Sequence, residues 1–184
     1  IVNLPKGTEH FLADLHGEYE AFQHELRNAS GSIKRQVKEL FGSTLNENER
    51  KELCTLIYYP EQKLHLVKAV ETDIEGWYLT TLNQLVALCQ NVSSKYTRSK
   101  VRKALPKEFS YIIQELLHDN TMLPNRQAYI GVIIDTIIST RRADDFITAL
   151  CKLIQRLAID TLHILGDIFD RGHGPHHIMD ILCD

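Results

Sequence analysis

The sequence predicts an α/β fold that is predominantly helical. Two short apolar stretches, residues 9–13 and 162–166, end abruptly in polar side chains and are typical of buried strands in a parallel sheet. Between them, apolar residues recur through residues 30–143 at the spacing of amphipathic helices. We therefore predict a partial βαβ core that carries a large all-helical insertion between its two strands.

This pattern divides the chain into three segments. Residues 1–29 are predicted to hold the first strand and helix of the core, and residues 30–143 the helical insertion. Residues 144–184 are predicted to hold a helix, the second strand and the loop that follows it. Because a helical pattern is still running where the 184 residues stop, we expect the core to continue beyond them in a longer protein.

Two polar residues of metal-ligand types, Asp14 and His16, follow the first strand. Residues i and i+2 of an extended chain project to the same side, so this carboxylate and imidazole can reach one ion while Leu15 faces the core. A carboxylate and an imidazole together suit Mn²⁺, Fe or Zn²⁺ better than Ca²⁺. Asp167 stands at the carboxyl end of the second strand, where the loops of a parallel sheet converge on one crevice.

The two motifs together resemble the calcineurin-like metallophosphoesterases, whose pattern is DxH followed by GDxxDR. The matching positions are Asp14, His16, Gly166, Asp167, Asp170 and Arg171. Longer strings, LPKGTEHFLADLHGEYEAFQHELRN, SSKYTRSKVRKALP and LHILGDIFDRG, resemble the class III fructose-1,6-bisphosphatases of bacteria, of Firmicutes type. The sequence departs from this family where His173 precedes Pro175, and the family's third block, Gly-Asn-His-Asp or Glu, does not occur in it.

The resemblance implies a role for each matching side chain. Asp14, His16 and Asp167 would be metal ligands in a binuclear Mn²⁺ site whose second set of ligands is missing from these residues. Arg171 would hold the substrate phosphate, because its planar guanidinium pairs with two oxygens at once. Asp170, the other candidate catalytic residue, would orient a histidine or Arg171.

The implied activity is hydrolysis of the 1-phosphate of fructose 1,6-bisphosphate in gluconeogenesis, by water activated between two metal ions. These 184 residues alone are expected to be far slower than a full-length enzyme. One alternative is another phosphatase of the superfamily, acting on proteins or dinucleotide polyphosphates, which the long helical insertion disfavours. Another is a non-catalytic helical interaction fragment, which the intact ligand residues disfavour.

The charge and composition of the chain limit the kinds of partner that it is expected to bind. A net charge of −3 gives no overall basic field for nucleic acid. Six Lys and Arg residues lie close to Tyr96 in residues 95–107. Because Tyr96 is the one aromatic residue among them, a solvated helix face is favoured over a nucleic-acid patch. A third option is contact with a sugar phosphate or with another part of a longer enzyme. We expect a sugar bisphosphate substrate and no membrane, and self-association is left open.

Several local signals complete the predictions. Asn46 and Glu49 are spaced as a capping box, and Pro60 is expected to stop the helix that follows them. The β-branched residues from 130 to 138 are predicted as helix, because Pro124 can begin one. His173, His176 and His177 are predicted to lie at a helix N-terminus. The four cysteines, widely spaced and without a CxxC pair, indicate reduced thiols and a cytoplasmic protein: Cys54, Cys89, Cys151 and Cys183.

Overall fold

The computed structural model describes residues 7–117 and 126–183. Most of these residues are helical, and two short strands form a small parallel sheet. In chain order, the elements within the described ranges are β1 (Glu9–Leu12), α1 (Tyr19–Asn28), a 3-10 turn (Ala29–Gly31), α2 (Ser32–Phe41), α3 (Glu47–Tyr58), α4 (Pro60–Val70), α5 (Ile74–Ser94), α6 (Arg98–Ala104), α7 (Ser110–Leu117), α8 (Arg126–Ser139), α9 (Ala143–Ala158), β2 (Thr161–Ile164) and α10 (Pro175–Cys183).

The two strands pair in parallel, as predicted. Glu9 lies opposite Thr161, and Leu12 lies opposite Ile164 at the carboxyl end. The prediction of a buried second strand is wrong: β2 is only half-buried, and Leu165 beyond it is 67% exposed. The reason is that β2 pairs with β1 alone within the described residues, so nothing there covers its other edge.

Helices α1 and α10 pack together beside the sheet. Leu15, Phe22 and Ile178 are buried at the centre of this small core, and apolar residues of both strands pack around them. Leu15 therefore faces the core, as predicted. Because both loops that carry the polar motifs leave from this core, its packing positions them.

The larger core lies among the helices, with α5 packed along α9 at its middle. Helix α9 is amphipathic at the helical period and turns its apolar side inward. Helices α2, α3, α4 and α8 also pack against α9. The buried residues of α9 are Ala143, Phe146, Ile147, Ala149, Leu150, Cys151, Leu153, Ile154, Leu157 and Ala158.

The helical core extends past both limits of the predicted insertion. Helix α9 begins at Ala143 and runs beyond the predicted insertion yet belongs to this core, and α1 precedes residue 30 yet packs against α2, α3 and α9. Helix α1 therefore contacts both the strands and the helical core. The division into three segments stays a prediction.

Local signals in the sequence set several element ends. The capping box is confirmed, since the Asn46 N–H donates to Glu49 Oε2 at 2.7 Å and the Glu49 N–H donates to Asn46 Oδ1 at 3.0 Å. Pro60 separates α3 from α4 and is the first residue of α4. The β-branched run from 130 to 138 is helical within α8, whereas Pro124 lies outside the described residues.

The cysteines are all unpaired. Cys54, Cys89 and Cys151 are buried, and Cys183 is exposed. Burial raises the pKa of the three buried thiols, which keeps them protonated and unreactive. None of the described helices is both long enough and apolar enough to cross a lipid bilayer.

Candidate metal centre

The loop after β1 brings Asp14 and His16 to one place by turning sharply. Both residues have left-handed backbone conformations, with φ of 54° and 46°. The predicted extended chain is therefore wrong here, because the Glu18 N–H bonds to the Leu15 carbonyl at 2.8 Å and the chain turns directly into α1. A left-handed backbone conformation is unfavourable for an L-residue, so tertiary contacts must stabilise it here.

The loop after β2 has the same character. Gly166 has a φ of 148°, which side-chain-bearing residues rarely adopt, and Asp167 follows it at a φ of 47°. Arg171 is also left-handed, with a φ of 72°. Two turns thus aim Asp167 and Arg171 away from the direction of β2.

Four backbone hydrogen bonds join the two loops. The His16 N–H donates to the Asp167 carbonyl at 2.6 Å, and the Gly17 N–H donates to the Ile168 carbonyl at 2.8 Å. In return, the Gly172 N–H donates to the His16 carbonyl at 2.5 Å, and the Gly174 N–H donates to the Gly17 carbonyl at 3.0 Å. These reciprocal bonds fix the relative position of residues far apart in sequence.

The loops approach so closely that glycine is required at their contact. A Cβ atom on Gly172 would overlap the carbonyl carbon of Gly17 and the carbonyl oxygen of His16. We expect Gly172→Ala to destabilise the protein by about 1–3 kcal/mol, the usual cost of overpacking, and to weaken Mn²⁺ binding. Urea unfolding and Mn²⁺ titration measure the two effects.

Gly131 in α8 provides the matched control. Its added Cβ would meet nothing within 4 Å, so Gly131→Ala should stabilise the helix by about 0.5–1 kcal/mol and leave metal binding unchanged. Wild-type Mn²⁺ affinity in Gly172→Ala would contradict the close loop contact.

The three predicted ligand side chains meet at the junction of these loops. One ligand atom each from Asp14, His16 and Asp167 lies within 4.8 Å of the other two. The two carboxylates are exposed and repel each other by about 1 kcal/mol at this separation in water-like surroundings. A bound cation would relieve that repulsion, and the donor set of two carboxylates and one imidazole fits Mn²⁺, Fe or Zn²⁺.

Asp170 holds the imidazole of His16. The His16 Nδ1 atom lies 2.8 Å from Asp170 Oδ1, and this hydrogen bond holds the pKa of the Asp170 carboxyl below its usual range. Since the ionised carboxylate only accepts, Nδ1 carries the proton in this hydrogen bond and Nε2 is the ring nitrogen left to bind a metal. This is the arrangement in which a carboxylate orients a metal-binding histidine.

Arg171 extends beside the same carboxylate. Its Nε atom lies 3.4 Å from Asp170 Oδ2, and its side chain is 77% exposed. Asp170 therefore contacts both a histidine and Arg171, the two partners considered from the sequence. The guanidinium remains largely in solvent, where an incoming anion can reach it.

The three later histidines lie around the start of α10. His176 and His177 are in its first turn, after Pro175, and His173 precedes it. All three are exposed, and the His177 ring lies 5.1 Å from that of Tyr19. Their placement agrees with the predicted helix N-terminus.

Removing the charge of Asp170 should weaken the centre without removing a ligand. We expect Asp170→Asn to reduce Mn²⁺ affinity about 10- to 100-fold, the usual effect of losing a carboxylate that orients a ligand histidine. Because the pKa of Asp170 lies below its usual range, the carboxylate is ionised at pH 7, and its negative charge is lost only as the pH falls below that range. Mn²⁺ titration at pH 7 tests this, with Asp180→Asn on α10 as the control, and equal affinities would contradict the orienting role.

Sequence reasoning missed Asp160, which fixes the starts of both strands. Its Oδ2 atom accepts from the Thr8 N–H at 2.6 Å and from the Tyr96 hydroxyl at 2.8 Å, and Lys100 pairs with Oδ1. Its own N–H donates to the Thr8 carbonyl at 2.8 Å. The sequence shows an acidic residue directly before an apolar strand. It does not show which residues Asp160 contacts, because these partners are remote in sequence.

Comparison with known proteins identifies the family of the chain. The family model for Firmicute fructose-1,6-bisphosphatase matches residues 1–184. The chain belongs to this family. Its whole length is 83% identical to a class 3 fructose-1,6-bisphosphatase of Phocaeicola vulgatus and 76% identical to one of Bacteroides fragilis, and it covers 28% of each. A Clostridium acetobutylicum relative is 62% identical over 99% of the chain, which covers 27% of that protein.

The chain thus spans about 28% of the length of the curated relatives that it matches. No solved structure matches it. The family is therefore established by sequence, whereas the roles of the individual residues rest on the geometry above.

Proposed function

We propose that the protein hydrolyses the 1-phosphate of fructose 1,6-bisphosphate, and that Asp14, His16 and Asp167 hold a metal ion of its catalytic centre. The observation that carries this proposal is the convergence of these three ligand atoms in a chain of the fructose-1,6-bisphosphatase family. In the same proposal, β1, β2 and their helices belong to a calcineurin-like phosphoesterase core, and residues 30–143 are inserted between its strands.

The side chains present fit a divalent ion, and we propose Mn²⁺. When bound, such an ion supplies positive charge for phosphate oxygens and lowers the pKa of water. A carboxylate has two oxygens and so could contact two ions, and we assign this role to Asp167. Within the described residues, one group of three or more ligand side chains lies close enough to hold a metal, and it is this one.

The remaining residues act on the substrate and on the ligands. Arg171 pairs with phosphate oxygens through its guanidinium, which stays charged throughout the reaction. Asp170 accepts a hydrogen bond from Nδ1 of His16, which fixes the orientation of the imidazole and leaves its Nε2 atom for the ion. Since Asp170 also contacts Arg171, it restricts where that side chain can meet the phosphate.

A chimaeric enzyme tests the proposal. In it, the 184 residues of this chain replace the matching segment of the Phocaeicola vulgatus protein, with which they align over their whole length. We expect phosphate release from fructose 1,6-bisphosphate with Mn²⁺, reduced at least about 100-fold in Arg171→Ala, the usual effect of removing a group that stabilises transition-state charge. Asp135→Asn on α8 is the control.

The substrate panel includes a phosphopeptide and a dinucleotide polyphosphate. Faster turnover of either than of fructose 1,6-bisphosphate would overturn the proposed substrate. The 184 residues alone should be at least about 100-fold slower than the chimaera, because the family resemblance places the histidine that would protonate the leaving group, a general acid, outside them. Equal rates would show that the catalytic groups all lie within this chain.

A further inference from the structure

A basic cavity lies among the helices, lined by residues that the metal centre does not use. Its volume is about 340 Å³, in the range of pockets that hold small molecules. Helix α6, the last turns of α5, and α7 and α8 surround it. Its described lining residues include Arg98 and Arg102, together with Arg126, which donates to the Leu116 carbonyl at 3.1 Å, and no Asp or Glu is among those described.

We propose that this cavity binds a small organic phosphomonoester. Arg98 and Arg102 are four residues apart on α6, so their guanidinium groups lie on one face of the helix and repel each other. Neither forms an ion pair within the described residues. A phosphate group between them would relieve the repulsion and accept several charged hydrogen bonds at once.

The neighbouring polar groups suit the organic part of such a ligand. The Ser93 hydroxyl donates to the Gln90 carbonyl at 3.1 Å, and the Ser94 hydroxyl donates to the Asn91 carbonyl at 2.7 Å. Because each hydroxyl proton is already in a hydrogen bond to a backbone carbonyl, both oxygens can only accept hydrogen bonds from a ligand. They therefore suit ligand hydroxyl groups, leaving the phosphate to the arginines.

The cavity is preformed. Tyr96 in its wall is fixed by its hydroxyl, which donates to the Leu157 carbonyl and to Asp160. The Gln90 amide donates to the Leu116 carbonyl at 2.8 Å and so ties α5 to α7. Val101 and Leu105 provide an apolar surface beside the arginines. Little ordering of these wall residues is then needed when the ligand enters.

A second basic cavity, near the start of α3, lacks these features. There Glu47 lines the cavity and pairs with Lys51 at 2.8 Å. Its positive charges are thus partly neutralised within the protein. It serves as an internal comparison for the cavity beside α6.

Calorimetric titration of this chain with glucose 6-phosphate tests the proposal. The background is Asp167→Asn with a chelator, so that the metal centre does not contribute. We expect saturable binding, at least about 10-fold weaker in Arg102→Ala, since a charged hydrogen bond is lost. Arg102→Lys should be intermediate because a single ammonium replaces the planar fork.

Lys103→Ala is the matched control. It removes a positive charge from the same helix but does not line the cavity, so binding should change less than about 2-fold. An equal loss of affinity in Lys103→Ala would overturn the proposal of a specific site, as would the absence of glucose 6-phosphate binding. If inorganic phosphate binds as tightly as glucose 6-phosphate, the proposal that the ligand is an organic phosphomonoester is overturned.

Amide chemical shifts locate the ligand independently of any variant. Signals of Val101 and Leu105 should move on titration, whereas those of Cys54 and Thr55 in the comparison cavity should stay. The reverse pattern would overturn the assignment of the site. Because no metal is present, failure here leaves the proposed hydrolysis untouched.

Discussion

Substitution of Asp167 by Asn should lower the Mn²⁺ affinity of this chain at least about 100-fold, more than the usual loss of a supporting carboxylate. Asn is nearly isosteric with Asp and keeps one oxygen as a neutral ligand. It removes one of the two negative charges that lie within 4.8 Å of each other at the centre. The attraction for a divalent cation therefore falls sharply while the loop geometry is preserved.

Electron paramagnetic resonance of free Mn²⁺ measures this affinity directly. Asp135→Asn is the matched control, because it makes the same chemical change on an exposed position of α8. Thermal unfolding without metal should show that Asp167→Asn is folded, and relief of carboxylate repulsion predicts that it is at least as stable as wild type. Wild-type affinity in Asp167→Asn would rule out Asp167 as a ligand.

Replacing Phe146 by Ala should destabilise the protein by about 3–5 kcal/mol, the range for a truncated buried aromatic residue. Phe146 is fully buried in α9, at the middle of the helical core. Its ring meets that of Phe109 edge-on, with centroids 5.1 Å apart. The substitution removes this contact and leaves a cavity between helices that cannot close completely.

Urea unfolding followed by circular dichroism at 222 nm measures this loss. Phe169→Ala is the control, because Phe169 is 56% exposed in the loop after β2 and should change stability by no more than about 0.5 kcal/mol. An effect below 1 kcal/mol for Phe146→Ala would show that the helical core is loosely packed, contrary to the burial of α9.

Much of the secondary structure and the chemical types at the centre followed from the sequence alone. The helical period identified the helices, and the Asn46–Glu49 spacing identified the start of α3. Two apolar stretches ending in Asp14 and Asp167 identified the parallel strands and the loops in which these two carboxylates lie close together. These features are local, because side-chain period and capping depend on residues within one or two turns.

The geometry of the centre was decided only by tertiary structure. The left-handed turns at Asp14, His16 and Asp167 persist because four backbone hydrogen bonds join the two loops. Asp170 meets His16 across 154 positions of sequence, and Asp160 meets Thr8 across 152. No local pattern records such contacts, since they form only when the packing of α1, α9 and α10 brings the ends of the chain's two strands together.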